Sequence, residues 1–319
     1  MSARRHGFSF LIAIVLIFAA GETFAANARQ SPNPALWRIE SAAGKAYVFG
    51  SYHILRTGIG WITPPILAGM SQADEFVFEA ALGKEDMVEA QAFIDTTGYL
   101  PEGQKLRDML SPEVLATYQE ILRRLPLNAV EMDKLRPWLA SLSLSSSYYH
   151  QQKYSVVNGA DVRVMGFAMS RKKPVIYLET PRQQLELFAS AARETELANF
   201  ESLVSTFDQR PRSIEFGISA WVDGDVDELS MRLQRGLRSN PAGKSILLDD
   251  RNRSWAEKID ELLKEPKTYF VTVGIGHLGG PNNVIGMLCQ KGFKIERVKT
   301  GTAPVPSACE AAEAANSLE

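Results

Sequence analysis

Two segments, Lys45-Ala46-Tyr47-Val48-Phe49-Gly50-Ser51-Tyr52-His53 and Lys267-Thr268-Tyr269-Phe270-Val271-Thr272-Val273-Gly274-Ile275-Gly276-His277, share one pattern. Each is an aromatic and β-branched run, then a glycine, then a histidine three residues on. A short apolar run of this kind reads as a strand buried on both faces, and the glycine lets the chain turn off the sheet edge. Ligands of open α/β sheets gather outside the carboxyl ends of the strands, which is where both histidines are expected. Two further runs end in the same way, Glu75-Phe76-Val77-Phe78-Glu79 and Pro174-Val175-Ile176-Tyr177-Leu178-Glu179. The four ends carry two imidazoles and two carboxylates that only folding can bring together.

Outward from these strands, Ala35 to Glu40 alternates as a strand and Ala42 to Lys45 supplies the turn of an opening hairpin, while Phe293 to Val298 reads as the last strand. The middle is helical. Ser111-Pro112 offers an N-cap and an N1 proline to a helix with Val114, Leu115, Tyr118, Ile121, Leu122 and Leu125 on one face. Glu131 to Tyr149 is a second helical stretch, interrupted at Pro137, and Val162 to Ser170 a third, with Asp161 as its N-cap or a ligand. Thr180-Pro181-Arg182-Gln183 fits a capping box, residues 184–264 are mostly helical, and Val284 to Gln290 forms a final helix. Strands at both ends with no compositional break between them predict a single α/β domain over residues 35–300. Its expected form is a central mixed sheet with pseudo-repeated strand-Gly-x-x-His halves and a helical insert.

A net charge of -2 over 319 residues gives no basic excess, so neither nucleic acid nor an anionic membrane has electrostatic support as a partner. Arg4 and Arg5, the apolar run from Phe8 to Ala20 and the small residues up to Ala28 form a secretory signal peptide over residues 1–25, with cleavage after Ala25 or Ala28. The apolar run falls short of the roughly 20 residues a spanning helix needs, so no stable span is expected after cleavage. Export across the inner membrane to the periplasm follows. Cys289 and Cys309, the only two cysteines, are expected to form a disulfide in that oxidising compartment, with a free pair as the alternative, since sequence gives no distance. Residues 301–319, with Pro304, Pro306 and an Ala/Glu-rich end, read as a loosely ordered tail.

Two imidazoles with one or two carboxylates form a reasonable ligand set for a divalent first-row ion such as zinc, so His53, His277, Glu79 and Glu179 are the expected metal ligands. Such an ion lowers the pKa of bound water and polarises a carbonyl, and a spare carboxylate, Glu79 or Glu179, would be the base. The plain alternative is that each histidine caps a loop and each glutamate pairs with a nearby Lys or Arg. Arg251 would steady an oxyanion or a substrate carboxylate, or else pair with Asp249 and Asp250 at a helix entry. Gln183 serves the capping box or the substrate. His150, in a Ser/Tyr-rich stretch, reads as structural. Gly-x-Ser-x-Gly and His-Glu-x-x-His are both absent, which disfavours a serine hydrolase and excludes the common zincin pattern.

Leu36-Trp37-Arg38-Ile39, Gly50-Ser51-Tyr52-His53, Phe78-Glu79, Lys134-Leu135-Arg136-Pro137-Trp138, Gly159-Ala160-Asp161, Lys173 to Thr180 with Gln183, Arg251-Asn252 and Gly274-Ile275-Gly276-His277-Leu278 occur in that order along the chain. In these residues the sequence resembles the TraB/GumN family, whose relatives include the Tiki metalloproteases. The resemblance implies a fold shared with erythromycin-esterase-like and haem-associated ChaN-like proteins, with both Gly-x-x-His motifs at the site. For the Tiki branch it implies metal-dependent proteolysis with manganese or cobalt. Ser51-Tyr52 stands where Thr and a small aliphatic residue are usual, so Tyr52, with Gln183 and Asn252, is expected at the substrate. The expected function is a periplasmic metal-dependent hydrolase, peptidase-like, acting on a peptide or other small substrate. The alternatives are a non-catalytic periplasmic haem-, metal- or peptide-binding protein and a purely structural envelope protein. Intact mass of the exported protein should show a chain beginning at Ala26 or Arg29; a full-length product in the membrane fraction would contradict the reading of the amino terminus.

Overall fold

The computed structural model describes residues 32–81, 83–237, 241–299 and 308–310. The expected signal peptide with its cleavage positions, and the expected tail apart from residues 308–310, lie outside the described residues.

Six strands, β1 (Leu36–Glu40), β2 (Lys45–Ser51), β3 (Glu75–Ala80), β4 (Val175–Glu179), β5 (Thr268–Gly274) and β6 (Lys294–Arg297), form one mixed sheet in the order β4-β3-β5-β2-β1-β6. β1 is antiparallel to β2 and to β6, whereas β2, β5, β3 and β4 run parallel to one another. Their four carboxyl ends therefore share one edge of the sheet. The two strands that carry Gly-x-x-His are direct neighbours, with Val48 opposite Val271, Gly50 opposite Val273 and Ser51 opposite Gly274. Phe49, Phe76, Val77, Phe270 and Val271 are fully buried, which is the burial on both faces that their near-continuous apolar character requires.

Thirteen helices are described: α1 (Pro64–Gln72), α2 (Lys84–Thr97), α3 (Pro112–Arg124), α4 (Ala129–Met132), α5 (Pro137–Gln151), α6 (Ala160–Ser170), α7 (Pro181–Ala189), α8 (Arg193–Ser205), α9 (Arg210–Asp223), α10 (Val226–Leu237), α11 (Pro241–Lys244), α12 (Asp250–Leu262) and α13 (Val284–Gln290). Prolines at N1 open α3, α5 and α7, where the missing N–H costs no hydrogen bond. Thr180 and Gln183 close a reciprocal capping box on α7. Ser111 occupies the N-cap position of α3, but its hydroxyl caps nothing; α3 is held by its buried face of Val114, Tyr118 and Ile121. One apolar core runs from Ala35 to Ala308, and a smaller one joins Ala90, Ile94, Trp138, Leu139 and Leu185.

Two sequence expectations change here. Helices α1 and α2 have no counterpart in the sequence reading, because α1 buries only Ile66, Gly69 and Met70 and α2 only Ala90 and Ile94. And Asp161 is not an N-cap. Gly159 holds that position, and a Cβ on it would strike the carbonyl of His53, so only glycine allows the chain so close. Helix α6 thus starts two residues earlier than its cap signal implied and carries Asp161 in its first turn.

Cys289 of α13 and Cys309 form a disulfide, with Cα atoms 5.7 Å apart and a sequence separation of 20. Replacing both with Ser should lower unfolding free energy by about 2–4 kcal/mol in urea titrations, because the closed loop no longer restricts the unfolded chain. Two reactive thiols in the native wild-type protein would show the link to be absent.

Candidate functional site

Parallel pairing delivers Glu79 and Glu179 at the ends of β3 and β4, His53 two residues beyond β2, and His277 in the single turn that follows β5. Helix α12 supplies what joins them. Arg251 and Asn252 in its first turn and Trp255 one turn later are all buried. The Arg251 guanidinium grips Glu179 bidentately, Nε to Oε1 at 2.8 Å and Nη2 to Oε2 at 3.2 Å, and reaches Glu79 Oε2 at 3.4 Å. Its Nη1 donates to the Leu247 carbonyl at 3.0 Å and to His277 Nε2 at 3.1 Å. Five N–H groups thus meet five acceptors, the full capacity of the side chain.

The two histidines are in opposite states although their motifs match. His277 Nδ1 donates to Asn252 Oδ1 at 2.6 Å, which fixes the tautomer and leaves Nε2 as the acceptor that Arg251 finds. Burial, then the Arg251 charge, then His53 hold the His277 pKa well below the ordinary imidazole value, so the ring is neutral. The Asn252 amide donates in turn to the Asn282 carbonyl at 2.8 Å, and Trp255 covers the His277 ring with centroids 4.4 Å apart. At His53, burial alone would lower the pKa, but the charge and hydrogen bond of Asp161 and the charge of Glu79 outweigh it and raise the value to about 9, against the opposing Arg251. His53 Nδ1 faces Asp161 Oδ2 at 3.3 Å. Below that pH, His53 is an imidazolium paired with Asp161.

His53 and Glu79 meet over a glycine. Gly274 has no Cβ, and an added one would sit 2.9 Å from His53 Nε2 and 3.1 Å from Glu79 Oε1. A side chain there would collide with both groups, so glycine at 274 is what lets them close on the end of β5. Glu79 Oε1 also accepts the Gly274 N–H, and Gln184 Nε2 donates to Glu79 Oε2 at 3.4 Å. The backbone of the first motif is anchored from behind, where Trp221 Nε1 donates to the Gly50 carbonyl at 2.8 Å and the Ala160 N–H to the Tyr52 carbonyl at 3.0 Å.

His53, Glu79, Glu179, His277, Arg251 and Asn252 are therefore brought together. Arg251 pairs with the strand-end glutamates, while its neighbour Asp250 is taken by Arg253. The other residues expected at the substrate have different partners. Asn252 orients His277, Gln183 accepts the Thr180 N–H within the capping box, and Tyr52 packs on Trp221 with its hydroxyl against Gly217. His150 is exposed. Sequence reasoning missed Gln184, adjacent to the residue it favoured, and Trp255; it read Asp161 as a cap, and the signal available for Asp161 was its position after the glycine of Gly159-Ala160-Asp161.

A divalent ion does not fit this arrangement. A site of protein ligands needs three donor atoms facing one point. Both oxygens of Glu179 and the Nε2 of His277 face the Arg251 cation instead, and only His53 Nε2 and Glu79 Oε1 are left outside its grip, beside Gly274. Among the described residues no group of three or more His, Cys, Asp or Glu side chains is disposed to hold a metal ion. The four-ligand set expected from sequence is thus organised around a guanidinium.

The model of the TraB/PrgY/gumN family matches residues 35–297, which include every residue of this cluster. The chain belongs to the TraB/PrgY/gumN family. A protein named metalloprotease TIKI homolog, from Amphimedon queenslandica, is 25% identical over 351 aligned positions that cover 93% of this chain and 68% of the relative. No solved structure matches the chain. Among the described residues no helix is long and apolar enough to cross a membrane.

The His53–Asp161 pair links stability to pH. A folded pKa of about 9 lies above the ordinary 6.5, so the contribution of the pair is complete below about pH 6.5 and is lost as pH rises through 9. The Tm of wild type should exceed that of Asp161→Asn at pH 6, and the gap should close by pH 10. A gap independent of pH would mean that His53 is not charged in the folded protein.

Proposed function

We propose that the chain is a hydrolase of peptides or other small acyl substrates, in which Glu79 activates an attacking water and His53 protonates the leaving group. The observation that carries this reading is the convergence of His53 Nε2 and Glu79 Oε1 on one glycine, where a Cβ on Gly274 would lie 2.9 and 3.1 Å from them. A carboxyl group and an imidazolium that converge in this way supply a base beside an acid.

The water oxygen bonds to the substrate carbonyl carbon while its proton passes to Glu79 Oε1. The carbon–nitrogen or carbon–oxygen bond then breaks, and the leaving atom takes the proton from His53 Nε2. Transfer of the proton from Glu79 back to His53 restores the start. Arg251 holds Glu79 Oε2, with Gln184 on the same atom, which leaves Oε1 turned to Gly274 on the side of His53. Glu179 holds Arg251 in place, and Asp161 keeps the charge on His53. In this reading Glu79 is the catalytic base, whereas Glu179 and Arg251 position it.

The peptidase-like substrate class is supported by the name of the Amphimedon queenslandica relative. That name also favours a second reading, metal-dependent hydrolysis, which requires Arg251 to release Glu179 and His277. Export to the periplasm is supported by the amino-terminal sequence pattern and by the Cys289–Cys309 disulfide. A pseudo-repeat relating the two Gly-x-x-His halves is supported by the adjacency of β2 and β5 and the parallel register that sets Gly50 beside Val273.

Turnover of a peptide and ester panel by the purified chain should survive exhaustive chelation. Glu79→Gln and His53→Ala should each lower kcat by about 10²–10⁴-fold with KM little changed. Activity abolished by chelator and restored by manganese would decide for the metal-dependent reading, and saturable binding without turnover for a binding protein.

A further inference from the structure

Away from the strand ends, Arg210 opens α9 with an unmatched charge. Its side chain is 4% exposed, and none of its three guanidinium nitrogens has a hydrogen-bond partner. Its surroundings are aromatic. The guanidinium lies over the Phe207 ring at 5.2 Å, Phe207 meets Tyr148 edge-on at 5.3 Å, and Tyr148 meets Tyr149 at 6.0 Å. Burial pulls the Arg210 pKa down, opposed by the Tyr149 hydroxyl, a neutral neighbour that brings no counter-charge. No carboxylate acts on Arg210, and the two that act on neighbouring Tyr148 are taken, Asp208 by Arg124 at 2.9 Å and Glu215 by Arg56 at 2.8 Å and the Tyr154 hydroxyl. No acidic residue occupies the first turn of α9.

Arginine does not discharge in proteins, and a buried charge without a counter-ion is costly, so such a group calls for an anion from outside the chain. We propose that Arg210 is the receptor for a ligand carboxylate. Its planar fork matches the two coplanar oxygens of a carboxylate, and the flat aromatic neighbours suit a planar group better than a tetrahedral one. The buried face of α9 ties this place to the first histidine motif. Arg210 and Gly217 lie on that face seven residues apart, about 10 Å along the helix axis, and Gly217 abuts the hydroxyl of Tyr52, the neighbour of His53.

The test is calorimetric titration of the full chain with acetyl-trialanine as free acid and as amide, and with sodium acetate. The acid should bind saturably and the amide should not; binding of acetate as well would identify a small-carboxylate site, and its failure a peptide-terminus site. Arg210→Met should weaken the acid at least tenfold and leave the unliganded Tm equal to or above that of wild type. Glu79→Gln should bind the acid as wild type does, which separates this site from the proposed catalytic one. Should Arg210→Met not fold, the acid-against-amide comparison on wild type and on Arg210→Lys decides alone. Equal binding of acid and amide, no binding of either, or an acid affinity unchanged by Arg210→Met would overturn the proposal.

Discussion

Arg251 is the group around which the strand-end residues are organised. It is 7% exposed, and the two carboxylates it joins, Glu79 and Glu179, are 12% and 11% exposed, so none of the three charges is well hydrated. Two buried carboxylates at neighbouring strand ends repel one another, and the guanidinium between them is what makes their proximity tolerable. Its position follows from the chain just before it. A π-type turn over Ser245–Asp249 leads into α12, and the Leu247 carbonyl of that turn accepts from Arg251 Nη1. Because each N–H of Arg251 has its own acceptor, no member of the cluster can shift without leaving a buried donor unmatched.

The same cation breaks the symmetry of two identical motifs. His277 lies against Arg251 and is driven neutral; His53 lies against Asp161 and is driven positive. A pair of imidazoles that would serve a metal equally is thereby divided into one hydrogen-bond acceptor and one proton donor. The glycine of the second motif contributes by what it lacks, since a side chain at Gly274 would collide with His53 and Glu79 and push them apart. The chemistry of the site therefore rests on three features: a fixed guanidinium, an imidazolium made by Asp161, and a glycine that lets the acid and the base close together.

Much of this was legible in the sequence. Phe76-Val77-Phe78 and Phe270-Val271-Thr272-Val273 are buried on both faces, and that constraint writes itself into composition, so the strands and the residues at their ends could be read directly. Export of side chains to a common edge follows from parallel pairing. What could not be read depends on contacts far apart in the chain. Arg251 stands beside Asp250 in sequence yet joins Glu79, 172 residues away. Asp161 carries a helix-cap signature because its type and setting match one, and only the approach of His53 to Gly159 reveals its partner. Gln184 was passed over for Gln183 since the capping box explains one and nothing local explains the other. Helices α1 and α2 expose most of their length and leave little periodicity to find.

The division of labour between the two histidines can be read directly from long-range ¹H–¹⁵N correlation spectra of the imidazoles, recorded from pH 5 to 10.5. His53 should show both ring nitrogens protonated at neutral pH and titrate near 9, while His277 should remain the neutral Nδ1–H tautomer throughout. A His277 that titrates near the ordinary 6.5, or a His53 already neutral at pH 7, would contradict the account.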